Sequence, residues 1–211
     1  MSVEILGVVG EQKLTKGSRS SPSMSSSGSL VVQDDFAAAV ERGNCFAVCN
    51  QVGITSQAGL SGTTPALTLW NPVGSGVNAR IWFVGAHFEV AFAAAASVWV
   101  AVGTNLVAAA VSGTLTTAHR NLKLSNTAAQ GNKVVAYLAA TLPAAPVAIA
   151  LLGVGLTGAI TTAPTQLPMG RWFNGGLILR PGSNLSVQTS TASGTIGTLC
   201  EYIWEEVDIG V

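Results

Sequence analysis

The stretch ARIWFVGAHFEVAFA, residues 79–93, decides the fold class of this 211-residue chain. Its side chains alternate with a period of two, which is the period of a β-strand and not of a helix. The alternation places on one face Trp82, Val84, Ala86, Phe88, Val90 and Phe92, and on the other Ile81, Phe83, Gly85, His87 and Glu89. We therefore predict a long strand with one face in the core.

Other strands are predicted where short runs of apolar and β-branched residues end at glycine, proline or asparagine. These runs are residues 66–70, 98–102, 106–111, 133–140, 147–153, 175–180, 185–189 and 198–208. The clearest hairpin turn is PGSN at residues 181–184. Many short strands without a long amphipathic helix predict an all-β fold, an antiparallel β-sandwich or jelly-roll-like body.

Three parts follow one another along the chain. Residues 1–29 contain the serine-rich run SRSSPSMSSSGS and predict a flexible N-terminal arm, because such a segment buries too little apolar area to fold alone. Residues 30–65 are expected to connect the arm to the body, with a short helix or an edge strand within residues 33–42. Residues 66–211 form the predicted sandwich body.

The charge distribution argues against an enzyme. Only 9% of residues are charged, against roughly 25% in ordinary soluble domains. Residues 43–200 contain six lysines and arginines but one carboxylate, Glu89, whereas four acids fall within residues 201–211. Acid–base catalysis, glycoside hydrolysis and hard-cation sites need converging carboxylates, which this middle region lacks. We therefore expect no enzyme activity. We also expect part of the apolar surface to be buried between subunits.

Small motifs do not change this interpretation. A zinc site would join Cys45 and Cys49 with His87 or His119, but the second pair of closely spaced ligands is missing, so reduced buried thiols are favoured. The glycines of GVGLTG, residues 153–158, precede prolines instead of a helix, which argues against a dinucleotide site. We predict no catalytic residue, no metal and no cofactor; His87 is expected to form a local pair with Glu89.

Membrane and nucleic-acid partners are not expected. Residues 90–118 and 134–163 lack charges, but glycine, proline and threonine interrupt both stretches, as in buried strands and turns. No basic cluster with interleaved aromatic residues provides a track for phosphates. The first ten residues have no basic region and carry Glu4, so we expect synthesis in the cytoplasm without an export signal.

The tryptophans separate into two groups. Most lie within predicted strands, where large rings usually fill a core or an interface. In the last strand Tyr202 and Trp204 share one face, and we predict that they contact a neighbouring subunit. Trp172 with Asn174 is the best candidate for a sugar-binding platform. NLS at residues 184–186 matches a glycosylation sequon, but we interpret it as the start of a strand.

Several segments, spread over nearly the whole chain, carry a resemblance to a known family. They are GNCFAV at residues 43–48, LWNPVGSGVN at 69–78, GLTGAITTAP at 155–164, LILRPGSNLSVQTSTASG at 177–194 and EYIWEEV at 201–207. This combination resembles small phage virion structural proteins, similar to capsid decoration or cement proteins. The chain departs from the family pattern between residues 34 and 42, where FAAAV replaces aromatic and charged residues.

The resemblance implies a position on the outer capsid surface of a virion, after synthesis in the host cytoplasm. It also implies self-association, as a homotrimer, and clamping of neighbouring copies of the phage major capsid protein by the arm. The arm residues expected to bind the capsid are Ile5, Leu6, Val8, Val9, Lys13, Leu14, Lys16 and Arg19. The alternatives are a tail, baseplate or head-fibre adaptor and a carbohydrate-binding module on the virion surface.

Overall fold

The computed structural model describes residues 35–90, 92, 94–104, 111–123, 132–155, 168–193 and 197–209. The chain divides into two units, Met1–Ala38 and Ala39–Val211. The predicted arm, residues 1–29, lies outside the described residues. Those described form one helix, α1 (Asp35–Glu41), and eleven strands: β1 (Cys45–Cys49), β2 (Leu67–Asn71), β3 (Val77–Phe88), β4 (Ala96–Thr104), β5 (Ser112–Leu115), β6 (Arg120–Asn121), β7 (Val135–Thr141), β8 (Val147–Gly155), β9 (Met169–Leu179), β10 (Ser183–Thr189) and β11 (Thr198–Asp208).

The strands form two packed sheets. The first sheet has the order β6-β1-β11-β3-β9, and the second has the order β5-β7-β2-β10-β4-β8. Every pair of neighbouring strands is antiparallel. The predicted all-β antiparallel sandwich is therefore confirmed. β8 and β9 each lie at one edge of their sheet, and β5 and β6 lie at the opposite edges.

The core lies between the two sheets and contains large apolar side chains from both. The first sheet contributes Phe46, Ile81, Val84, Phe88, Tyr202 and Trp204, and the second contributes Leu67, Leu69, Val98, Val100, Leu185 and Val187. β10 is buried along its whole length, since its outer face is also covered: the Gln188 amide donates to the Ser61 carbonyl. Burial of this kind is the main favourable term in folding.

The strand predicted at residues 79–93 is present but shorter, and its faces are only partly as expected. β3 ends at Phe88, and its pairing with both neighbours skips Trp82, which marks a β-bulge. Because a bulge adds one residue to the two-residue alternation, Ile81 moves into the core while Val84 and Phe88 stay there. Trp82 is also buried, with the Arg80 guanidinium 5.8 Å from its ring centre.

We predicted a hairpin at residues 181–184, but the turn there does not form one. The Ser183 amide donates to the Arg180 carbonyl, and Gly182 adopts a φ of 85°, which favours glycine. However, β9 and β10 belong to different sheets, so this turn carries the chain across the sandwich. The buried Asn71 amide fixes the crossing by donating to the Leu179 and Val77 carbonyls.

Some segment boundaries differ from the predictions. The short helix is present as α1, but the connection predicted over residues 30–65 also contains β1, which pairs with β6 and β11 inside the first sheet. β9 begins at Met169, earlier than predicted. The strand predicted at 106–111 falls almost wholly outside the described residues, whereas β11 has the predicted bounds.

Tyr202 ties the two sheets together. It lies on β11 of the first sheet, and its hydroxyl donates to the Leu67 carbonyl at 2.7 Å. The same oxygen accepts from the Val187 amide at 3.2 Å, so it contacts two strands of the second sheet. Because both contacts are buried, the hydroxyl is satisfied without water. This geometry places the last strand's aromatic face in the core.

Candidate functional site

Exposed apolar side chains gather on the two edge strands β8 and β9. We call this set the apolar flank: Val147, Ile149, Leu151 and Val154 of β8 with Trp172 and Ile178 of β9. Each of the six is between 45% and 65% exposed. The two strands follow one another in the chain and meet where the Met169 side chain packs against Gly153. Several exposed apolar side chains on two such strands make this side of the molecule a candidate protein interaction surface.

The flank arises from the alternation along β8. Ala150 and Leu152 pack against the core, so Leu151 between them points outward, and Val147 and Ile149 are exposed near the start of the strand. No charged residue occurs between Val134 and Gly155, in contrast to the edge strands that use lysine to prevent association. The surface presented by β8 is therefore apolar and electrostatically neutral.

β8 does not offer a regular edge for pairing with another strand. Its register with β4 skips Leu152 and Ile149, so two bulges interrupt the ladder. Bulges twist an edge and discourage strand addition. The exposed side chains of β8 are consequently better suited to packing against a partner's surface than to extending the sheet.

A second, smaller feature lies on the outer face of the first sheet. It is a cavity of about 160 Å³ whose described lining includes Cys49, Gly85, His87, Pro168 and Glu201. The carboxylate of Glu201 lies over Gly85, where a Cβ would collide with it. The Nδ1 atom of His87 is buried and has no hydrogen-bond partner among the described residues, and Glu89, its expected partner, lies beyond the end of β3.

The cysteine thiols of the first sheet are poorly suited to nucleophilic chemistry at this cavity. Burial raises the pKa of Cys49, and the nearby Glu201 charge raises it further. Burial also raises the pKa of Cys200 well above its usual range, and that of Cys45 to about 12. A thiol with a raised pKa stays protonated at neutral pH and is a weak nucleophile. Within the described part of the chain, no three His, Cys, Asp or Glu residues are placed to hold a metal ion.

The acids of β11 have structural partners. Glu205 accepts from Arg42 at 3.0 Å and from Arg80 at 3.2 Å. Glu206 accepts from the backbone amides of Lys133 and Val134, each at 2.9 Å. Burial raises the pKa of the Glu206 carboxyl, while these hydrogen bonds oppose the rise. Glu205 and Glu206 therefore hold neighbouring segments of the chain against β11.

The prediction that Tyr202 and Trp204 contact a neighbouring subunit is wrong. Both are 0% exposed, and the Trp204 ring stacks on Phe46 with 5.7 Å between centroids. The alternation was correct, but the face that these two rings share is the face of β11 that packs against the second sheet. They are unavailable to a neighbouring subunit.

The eight residues expected to bind the capsid, from Ile5 to Arg19, lie outside the described residues, and their role stays a prediction. The flank was not predicted as a site. Its signal was nevertheless present, because VAIALLGVG at residues 147–155 alternates large aliphatic residues with alanine and contains no charge. Only the sheet order shows that this strand lies at an edge.

Comparisons with protein-family models, with curated protein sequences and with solved structures found no match for this chain. Among the described residues, no helix is long and apolar enough to cross a membrane. Function must therefore be inferred from the residues and their geometry.

Proposed function

We propose that this chain is a non-enzymatic structural protein of a phage virion, a decoration or cement protein that self-associates as a homotrimer on the outer capsid surface. The observation that carries the proposal is the apolar flank, six exposed apolar side chains on two edge strands, of which β8 carries no charged residue. Exposed aliphatic and aromatic side chains on an uncharged edge strand suit a surface that another protein covers. The sequence resemblance to small phage virion proteins supplies the biological setting.

In this proposal the sandwich is a rigid body and the two kinds of contact have different tasks. The flank packs against sister copies or the shell, where burial of its aliphatic side chains contributes the affinity. Residues 1–29 bind neighbouring copies of the major capsid protein, and repetition around the oligomer adds avidity that one arm lacks. A protein that binds only the assembled shell stabilises that shell by mass action.

The test is the copy number of this chain in purified particles, measured by quantitative mass spectrometry against the major capsid protein. A ratio near one copy per capsid subunit is expected, because a cement protein occupies every equivalent site of the lattice. A ratio of only a few copies per particle would instead place the chain in the tail, the baseplate or a head fibre. Its absence from purified particles would overturn the virion assignment.

A second candidate function, a carbohydrate-binding module on the virion surface, is favoured by Trp172. Its ring is 53% exposed and packs beside Phe83, with 5.0 Å between ring centroids. Exposed rings of this kind offer a flat apolar face with a polar edge. Asn174, which is also exposed, adopts a φ of 50° two residues further along β9.

Titration with soluble glucose, galactose and N-acetylglucosamine oligomers tests this second function. Binding over Trp172 is expected to change tryptophan fluorescence in a saturable way, and the change should disappear in the Trp172→Ala variant. Fluorescence that stays constant across the whole oligosaccharide set would remove the sugar-binding function and leave the ring as part of the flank.

A further inference from the structure

A tight turn interrupts β9, an edge strand of the first sheet. The pairing of β9 with β3 breaks between Trp172 and Leu177. The residues between them, FNGG at 173–176, lie opposite a single residue of β3, Trp82. Because β9 lies at the edge of the sheet, no described strand pairs with this segment on its other side. The segment is therefore an excursion from the sheet that contributes nothing to strand pairing.

The backbone of this excursion matches a type I′ turn. Asn174 has a φ of 50° and Gly175 a φ of 74°, and two successive positive φ angles at an Asn-Gly pair define that turn type. The Phe173 carbonyl oxygen lies 3.0 Å from the position that a Cβ of Gly176 would occupy, so the chain folds back on itself there. Nowhere else in the sequence does glycine follow asparagine.

An exposed asparagine followed by glycine is chemically reactive. The side-chain amide carbon of asparagine is close enough to the next backbone nitrogen to form a five-membered ring with it, and asparagine is among the thermolabile residues for this reason. A Cβ on the following residue hinders ring closure, and glycine has none. Asn174 is exposed, so water has access to the ring once it forms.

We propose that Asn174 is a site of spontaneous deamidation. The Gly175 backbone nitrogen attacks Asn174 Cγ, a new C–N bond forms, and the bond between Cγ and Nδ2 breaks. The leaving group takes up the proton of the Gly175 nitrogen and departs as ammonia. Water then opens the five-membered imide at one of its two carbonyl carbons and leaves either aspartate or isoaspartate at position 174. The reaction consumes one water molecule and needs no oxidant, cofactor or second protein.

Ring closure requires Asn174 to rotate out of its left-handed conformation, and the local structure makes this rotation inexpensive. Residues 173–176 are outside the strand pairing, so the turn can open without separating β9 from β3. The two glycines accept many backbone conformations. Gly175 is itself buried, but its nitrogen reacts with the adjacent residue, so only water has to arrive from solvent.

The product would carry a new charge beside an existing ion group. Arg80 Nη2 lies 2.9 Å from the position that a Cβ of Gly175 would occupy, and Arg80 also binds Glu205 at 3.2 Å. An aspartate at position 174 would place a second carboxylate near this guanidinium, whereas an isoaspartate would also add a carbon atom to the backbone of the turn. Deamidation would thus change the charge of the surface next to Trp172.

The test is peptide mapping by liquid chromatography and mass spectrometry, on the folded full-length chain incubated for days at mildly alkaline pH. We expect the peptide with Asn174 to gain the mass of an amide-to-acid conversion and to split into aspartyl and isoaspartyl forms. Its conversion should be at least about tenfold faster than that of Asn44, which is exposed but followed by cysteine. On isoelectric focusing, the new acidic species should migrate with the Asn174→Asp variant.

Asn174→Gln is the control variant. Glutamine keeps the amide but would need a larger ring to react, so the acidic species should not form. An acidic species of equal amount in this variant, or equal conversion at Asn44 and Asn174, would overturn the inference. So would an Asn174 that stays intact in the folded chain while it converts in urea, because the turn would then protect it. These outcomes do not depend on the copy number in particles, so the proposed function and this inference can fail separately.

Discussion

Replacing Trp204 by alanine is expected to lower the free energy of unfolding by about 3–5 kcal/mol, the range for removing a large aromatic side chain from a core. Trp204 is fully buried and stacks on Phe46. Its indole Nε1 donates to Glu206 Oε1 at 3.3 Å, so the substitution also removes one partner of a buried carboxylate. Urea denaturation followed by circular dichroism measures the change.

The matched control for this substitution is Trp172→Ala. Trp172 is half-exposed, so its removal should cost only about 1 kcal/mol, largely from its contact with Phe83. If Trp204→Ala does not fold, Trp204→Phe provides an intermediate measurement. Equal destabilisation by the two alanine variants would contradict the assignment of Trp204 to the core and return it to the surface, where we first expected it.

Replacing Glu205 by glutamine is expected to lower the free energy of unfolding by about 2–3 kcal/mol. The Glu205 side chain is 3% exposed and binds both Arg42 and Arg80. Glutamine keeps the shape but not the charge, so both guanidinium groups lose their shared anion. The expected cost is below that of a fully buried pair because each arginine side chain is about one third exposed to water.

Glu201→Gln is the control, since Glu201 lies on the same strand but is exposed. We expect a change within about 0.5 kcal/mol there. Urea denaturation of both variants at neutral pH gives the comparison. A cost at Glu205 no larger than that at Glu201 would show that water solvates the arginines well enough to replace the carboxylate, and that this ion group does not stabilise the fold.

Much of the secondary structure could be predicted from local pattern. The bounds of β11 agree with the prediction, and β8 begins at the predicted residue, because both are continuous apolar or alternating runs closed by turn residues. β1 was missed, since CFAVC is short and lies between segments without a strand pattern. Its place in the first sheet depends on pairing with β11, a partner more than 150 residues away.

The sequence pattern did not show which face of a strand packs in the core. The alternation along β11 correctly separated Tyr202 and Trp204 from Ile203. It did not say which face meets the second sheet, because a two-residue period is the same in a strand covered on either side. The bulge at Trp82 had a similar effect on β3, where one extra residue moved Ile81 into the core.

By itself, the sequence determined the fold class, the positions of most strands and the shortage of carboxylates, because all three depend on residue type and short-range spacing. Tertiary structure alone decided that β8 lies at an edge with aliphatic side chains exposed, and that Tyr202 and Trp204 pack in the core. Strand order and sheet packing join residues distant in the chain. Local periodicity carries no information about which distant residues those are.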